Sequence, residues 1–412
     1  MKHVLYVVFL FTPLLVFPAQ ADSVAGPDDV SRFSIDISGF VRSDFWIDSR
    51  SVVQAREAIF SLYPENIFLD ENGKDIYGDP SFNFSAIATR FTSRFKGPDA
   101  FGAQVNALIE ADFTGVTNAD INGFRLRHAY VNMQWEHWGL MLGQFWHPLF
   151  VAEVFPTIVS LNTGVPFQPF IRNPLATVSY RKDHSRWMFS LVGQRDYASD
   201  GPLGATSEYI RNAVLPNLHL QWTGFYEHST IGFGADYKML RPRQTTANNI
   251  YTDERIGTYA LLAYGRYFDD RWDIKAKIIY GQNLSEHLLM GGYAESHIDP
   301  ENGHVSYTPL NHLSIWGNIV YGDRVRPGLF FAYNHNYGAT EDISGNYYGR
   351  GSHIAYLYRV SPSITFRSGN MELCAEFEYT AAAYGEPDSR GRVRDHSEVA
   401  NLRLLLTAVY YF

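Results

Sequence analysis

His312 and Ser314 lie two residues apart, on one face if that stretch is a strand. They are the nearest approach in the chain to a nucleophile beside a base. Such a pair needs a third, orienting group before it can do acyl chemistry, and no such residue is recognisable, so a chance i, i+2 pairing is the simpler reading. The signatures HExxH, GxxxxGK[ST] and GxSxG are absent, which leaves no cofactor cradle and no catalytic centre to argue from. Asp70, Asn72 and Asp75 in DENGKD have half the ligand spacing of a calcium loop. The downstream bidentate glutamate is missing, so a solvated turn is expected and no metal. The single cysteine, Cys374, excludes an internal disulfide framework and any CxxC redox or metal site. It shares parity with Glu372 and Glu376 and reads as a small wall residue.

What remains is fixed charge, and its use depends on the elements that carry it. Along FSIDISGFVRSDFWID (33 to 48), Phe33, Ile35, Ile37, Gly39, Val41, Phe45 and Ile47 alternate with Ser34, Asp36, Ser38, Arg42, Asp44 and Asp48. The period of two is that of a strand with one apolar and one wet face. The same alternation runs through 101 to 114 and again to the C-terminus, where Leu402, Leu404, Leu406, Ala408, Tyr410 and Phe412 share a face. Sandwich strands mostly have about five or six residues, whereas a tilted strand that crosses a bilayer needs roughly ten. Further strands are expected near 82–96, 123–136, 138–146, 175–183, 186–197, 216–228, 229–241, 256–268, 271–283, 306–321, 325–337, 350–367 and 371–384. With the three above they make sixteen.

Composition and connections agree with this reading. The chain has 412 residues and a formal charge of -9, which disfavours nucleic acid as a partner. Lys2 and His3 precede the apolar stretch Val4 to Phe17, and Ala19-Gln20-Ala21 follows. That is the pattern of an export signal, with cleavage expected after Ala21 and residues 22–412 forming the mature chain. Short polar connections such as KGPDAF, EHW, KDHS and FDDR alternate with long ones at 49–81, 147–174, 198–215, 242–255, 284–305, 338–349 and 385–396. Short turns on one side and long loops on the other mark an all-β, transmembrane antiparallel barrel of the outer membrane. Such a sheet must close, because a backbone N–H or C=O has no water partner in lipid. Phe412 fits the terminal signal of barrels handed to the outer-membrane assembly machinery.

A sixteen-stranded barrel is too wide for its own side chains to fill, so an aqueous pore for small hydrophilic solutes is the default function. The alternative is a non-conducting barrel that serves as a scaffold or surface partner, with loops such as 49–81 and 284–305 carrying the interaction. A helix-like run, VVQAREAIFSLYP, lies in the first of these. The loop 147–174 is unusually apolar, with Phe150, Phe155, Ile158, Val159, Val165, Phe167, Phe170 and Ile171. It is expected to fold into the lumen as a constriction, against the alternatives of a cap or a subunit contact. Parity places Arg42, Arg90, Arg94 and Arg403 inside. Arg125 and Arg127 share parity with Ala129, Val131 and Met133, yet an arginine facing lipid costs roughly 2–4 kcal/mol, so both are expected inside too. Glu110 and Asp112 are their candidate ion-pair partners. Arg42, Arg127 and Arg403 each lie about nine residues above the short-turn end of their strands, so a shared level and a basic arc that favours anions are expected, with Glu110 opposing it.

The segments SRFKGPDAFGAQVNALIEADF (93 to 113), FRLRHAYVNMQWEHWGLMLGQFWHP (124 to 148), FIRNPLATVSY (170 to 180), RVSPSITF (359 to 366) and EFEYTAAAYG (376 to 385) resemble those of Gram-negative trimeric porins, in particular the DcaP-type porins and their relatives in Bacteroidota. The resemblance implies a sixteen-stranded homotrimer with a constriction loop after the fifth strand. It implies passage of small hydrophilic solutes, with dicarboxylates or other anions favoured. Arg42, Arg90, Arg125, Arg127 and Arg172 are the matching lumenal or loop positions. DcaP-type porins can carry an N-terminal coiled coil, whereas here residues 22–32 alone separate the export segment from the first strand.

Overall fold

The computed structural model describes residues 33–412; the expected export segment lies outside them. Alternating residues have closed into a barrel of sixteen antiparallel wall strands. In chain order these are β1 (Ser34–Asp48), β2 in two pieces (Ser81–Ser85 and Arg90–Lys96), β3 (Gln104–Asp112), β4 (Arg125–Gln134), β5 (Trp138–Trp146), β6 (Arg172–Lys182), β7 (Ser185–Val192) and β8 (Asn217–Phe225). The second half comprises β9 (Ser229–Leu240), β10 (Ile256–Phe268), β11 (Trp272–Gln282), β12 (Val305–Tyr321), β13 (Val325–Ala339), β14 (Ile354–Ser368), β15 (Met371–Pro387) and β16 (Val393–Tyr411). Closure pairs β1 with β16, from Phe40 opposite Tyr411 to Asp48 opposite Arg403.

The outward face is apolar and exposed, as at Phe45, Ile47, Ile109, Leu142, Phe189, Leu220, Leu261, Leu373, Leu404 and Leu406. At the short-turn rim, Trp138 packs on Tyr180 and Trp272 on Tyr321, with centroids 4.8 and 4.7 Å apart. Amphipathic rings at that height form the interfacial girdle of a membrane barrel. Phe412 completes the seam: its backbone exchanges hydrogen bonds with Gly39, at 3.0 and 3.1 Å, and its ring lies 5.8 Å from that of Phe91. A Cβ on Gly39 would meet the Phe412 ring at 2.8 Å and the Arg90 carbonyl oxygen at 2.2 Å, so only glycine fits there.

Four expectations need correction. The stretch 82–96 is not one strand but two pieces, separated by residues 86–89. The expected long loop 385–396 shrinks to residues 388–392, because β15 and β16 keep pairing out to Pro387 opposite Val393. Strands of this length exceed the roughly 9–11 residues that cross a bilayer, so this wall rises above the membrane. The helix-like run in the first loop is a β-hairpin, Val52–Ala55 with Phe60–Pro64. Arg56, Glu57 and Ala58 take positive φ at its tip, and Phe60 and Leu62 are buried. All five residues of Phe60–Pro64 are buried, and this burial outweighs weak helical propensity. The stretch 350–353 is likewise outside β14; Tyr347–Arg350 pairs instead with Gly291–Ile298 in the neighbouring loop.

Candidate functional site

The loop 147–171 leaves β5 and turns into the barrel. At its root Trp146 stacks on Phe150, with centroids 4.0 Å apart and planes 7° from parallel. His147 caps a single 3₁₀ turn, Pro148–Phe150: its Nδ1 accepts the Leu149 N–H at 3.2 Å. On the other side of the ring, Nε2 lies 2.8 Å from the side-chain amide nitrogen of Asn217. Burial pushes the His147 and His287 imidazoles well below the ordinary histidine range.

A buried loop must find partners for its backbone, and the far wall supplies them. Lys277 Nζ donates to the Phe150 carbonyl at 2.5 Å, Ser314 Oγ to Phe167 at 2.6 Å, Asn334 to Pro166 at 2.7 Å and Arg359 to Val165 at 2.7 Å. In the other direction, the Val159 N–H donates to the Glu376 carboxylate at 2.7 Å. The apolar side chains pack inward with the first-loop hairpin; Phe60 and Phe170 lie 5.2 Å apart, and Phe150, Val159, Val165, Phe167 and Ile171 are buried. Phe155 alone of the eight stays exposed, at 39%. Ser314 thus holds the loop, while His312 Nδ1 faces the Leu310 carbonyl at 3.4 Å; the two do not form a nucleophile and base.

Charges on β2, β3 and β4 interleave. Arg127 donates to Glu110 at 2.7 Å and to Asp112 at 2.8 Å, Arg125 donates to Asp112 at 2.9 Å, and Arg90 lies 3.6 Å from Glu110. Arg172 continues the ladder to Asp196 at 3.0 Å, with its guanidinium 5.0 Å above the Trp146 ring. Burial raises the Asp196 carboxyl, but Arg172 and Arg125 outweigh it and hold the group below the usual carboxylate range. The parity conflict in β4 is resolved by a bulge: Ala111 faces Leu126 and Glu110 faces His128, so Arg127 has no partner opposite. Both Arg127 and His128 are buried, while Leu126 and Val131 face out.

Arg42 grips Asp44 through two nitrogens and donates to the Val159 carbonyl at 2.6 Å, tying β1 to the loop. Arg403 pairs with Asp48 at 2.9 and 2.7 Å and donates to Ala58 at the hairpin tip. Its register opposite Asp48, against Val409 opposite Arg42, puts the two six positions apart, so they do not share the expected level. Arg94 sits near the short-turn end beside Asp36 and Ser38. Exposure separates the roles: the side chains of Arg125, Arg127, Arg172 and Arg403 are 2–4% exposed, against 12% for Arg42, 20% for Arg90 and 54% for Arg94.

Arg326, Arg367 and Glu372 line a cavity of about 210 Å³ together with Arg42 and Cys374, beneath residues 157–159 of the loop. The sequence pattern assigned no role to Arg326 and Arg367 or to the clamps Lys277 and Arg359, and it named Glu372 and Glu376 only as parity neighbours of Cys374, although inward parity in outward-apolar strands was the available signal. Asp70 and Asp75 build turns: Asp70 accepts the N–H groups of Asn72 and Lys74, and Asp75 those of Phe68 and Tyr77. The bond from the Lys74 N–H is the main cause of a lowered Asp70 carboxyl. Among the described residues no cluster of metal-ligating side chains is found.

A closed sixteen-stranded barrel with an apolar belt, an infolded loop after β5 and a charged inner wall defines a multi-pass outer-membrane β-barrel of the porin architecture. Solved structures that share it include the outer membrane channel DcaP of Acinetobacter baumannii, at TM-score 0.69 and 16% identity, covering 94% of this chain and 100% of that one. The anion-selective porin from Comamonas acidovorans aligns at TM-score 0.53 and 10% identity, over 92% of this chain and 100% of that one. OmpT of Vibrio cholerae aligns at 0.53 and 12%, over 92% and 98%. At these identities the likeness is one of fold. No protein-family profile and no curated protein matches the chain.

Proposed function

We propose that the protein is an outer-membrane porin that passes small hydrophilic solutes by diffusion and favours anions, dicarboxylates among them, as a homotrimer. The observation that carries this reading is the loop 147–171, held across the lumen by the far wall and facing a wall of arginines. Anion preference draws on Arg42, Arg326 and Arg367, which line the cavity beneath residues 157–159, and on Arg90; Arg42, Arg90 and Arg367 each pair with a carboxylate yet keep 12%, 20% and 44% of the side chain exposed, whereas Arg125, Arg127, Arg172 and Arg403 are 2–4% exposed. In a narrow, partly dehydrated passage such charges are screened less than on an open surface.

Planar-bilayer recording of the purified protein tests it. Open-pore current with a reversal potential toward chloride in a KCl gradient is expected, and the Arg42→Gln, Arg326→Gln, Arg367→Gln variant should shift toward potassium. A cation-selective wild type would remove the anion reading and leave the pore. The second reading, a non-conducting scaffold, is favoured by the packing of the hairpin 52–64 beside the loop in the same lumen; absence of conductance from folded protein would establish it.

A further inference from the structure

The geometry points to an apolar subsite inside the barrel, on the wall formed by β5 to β8, that takes the phenyl-sized side chain of a zwitterionic solute such as an aromatic amino acid. The inference rests on the pore reading for its access route. Inward positions of a porin wall are expected to be polar, and most here are. On this sector, however, Met141 and Phe145 of β5, Leu175 of β6 and Met188 of β7 border a cavity of about 240 Å³ beneath the first half of the loop. Lipid burial does not explain them: on the same strands Leu142, Val178, Trp187 and Phe189 occupy the exposed outer face.

Size and chemistry both fit such a ligand. An apolar cavity of about 150 Å³ suffices for benzene, so the space here accepts a phenyl ring with room for a short link. Methionine lines such sites well, since its flexible thioether adapts to aromatic rings. At the rim stands the ion pair of Arg186 with Glu153, 2.6 Å apart, their side chains 21% and 32% exposed. Arg186 comes from β7 and Glu153 from the loop, so the rim bridges wall and constriction. A solute with both a carboxylate and an ammonium can meet both partners without leaving either charge unpaired, whereas a singly charged solute satisfies only one. Few polar groups beside an apolar pocket are the usual construction of a small-molecule site.

Phenylalanine and alanine serve as probes in planar bilayers, alanine lacking only the ring. Phenylalanine should reduce the KCl current saturably, at a concentration about tenfold lower than alanine requires, as burial of a ring predicts. In the Met141→Gln, Met188→Gln variant, whose side chains keep their length, that preference should fall to about twofold or less, with the open current unchanged. Equal effects of the two amino acids on a conducting wild type, or full preference retained in the variant, would overturn the subsite while leaving the pore intact. If folded protein passes no current, the pore reading fails, and saturation-transfer NMR of phenylalanine with protein in detergent decides the subsite: transfer to the ring that is lost in the variant supports it, and none overturns it.

Discussion

Asp112 receives Arg125 and Arg127 and is itself fully buried. Removing one member of such a set leaves an uncompensated buried charge, so Asp112→Asn should destabilise the barrel by about 3–5 kcal/mol. Urea unfolding followed by loss of heat-modifiable migration measures this; a change within experimental scatter would show the ladder to be dispensable. Histidine at the loop root brings pH into play. His147 and His287 titrate below their unfolded values, so the unfolded state binds more protons as pH falls through about 6.5, and stability drops on acidification. Their surroundings include His219 and Asp236 at 3.0 Å from each other, Lys238, and Glu286 at 3.6 Å from His287. Hydrogen exchange in peptides across 147–171, corrected for intrinsic rate, should be faster at pH 5 than at pH 7. A His147→Asn, His287→Asn double variant should flatten the difference; an unchanged pH response would place its source elsewhere.

At the scale of elements, the loop 147–171 is apolar in side chain and polar in attachment. Its side chains cluster with the hairpin 52–64, while its backbone is held by Lys277, Ser314, Asn334, Arg359 and Glu376. Arg359 is shared, since it also donates to the Ser61 and Leu62 carbonyls at 3.2 and 3.0 Å. Arg359→Met should therefore loosen loop and hairpin together, with a loss of roughly 3–5 kcal/mol from breaking its buried pair with Glu378. Excess noise in single-pore current is the readout, and a current as quiet as the wild type would argue that the apolar cluster alone holds the loop. Replacing residues 53–63 by a short Gly-Ser linker should raise conductance, because the hairpin occupies lumen that water would otherwise fill.

For the molecule as a whole, closure concentrates assembly on one seam. The last residue holds Gly39 from both sides of its peptide and covers a gap that no Cβ can occupy. Deleting Phe412 removes two backbone bonds and the ring over Phe91 and Gly39, and should lower the yield of folded, heat-modifiable barrel in membranes. Normal assembly of the truncated chain at native expression would separate closure from any terminal signal. Substituting Gly39 by valine should be at least as damaging, since the Arg90 backbone cannot move aside without breaking the β1–β2 ladder.

Period-two alternation was enough to declare the wall. Side chains on opposite faces of a strand meet lipid or water directly, so Phe45 and Arg42 report their sides without knowledge of any neighbour. The inward placement of Arg125 and Arg127 also followed from the sequence, through the cost of a charge in lipid. How both could face inward alongside His128 did not, because a bulge is a property of two strands in register, seen only when Glu110 and Ala111 are set opposite β4. The infolded loop was legible in its surplus of apolar residues, whereas its anchors were not: Glu376 meets Val159 across 217 residues of chain, and no local pattern links them. The hairpin 52–64 was misread as helical because its strand geometry is imposed by packing against Phe170 and Arg359. Which arginines are buried was likewise decided in three dimensions, since Arg125 and Arg127 converge on Asp112 and Arg172 meets Asp196 only once the strands and loops are in place.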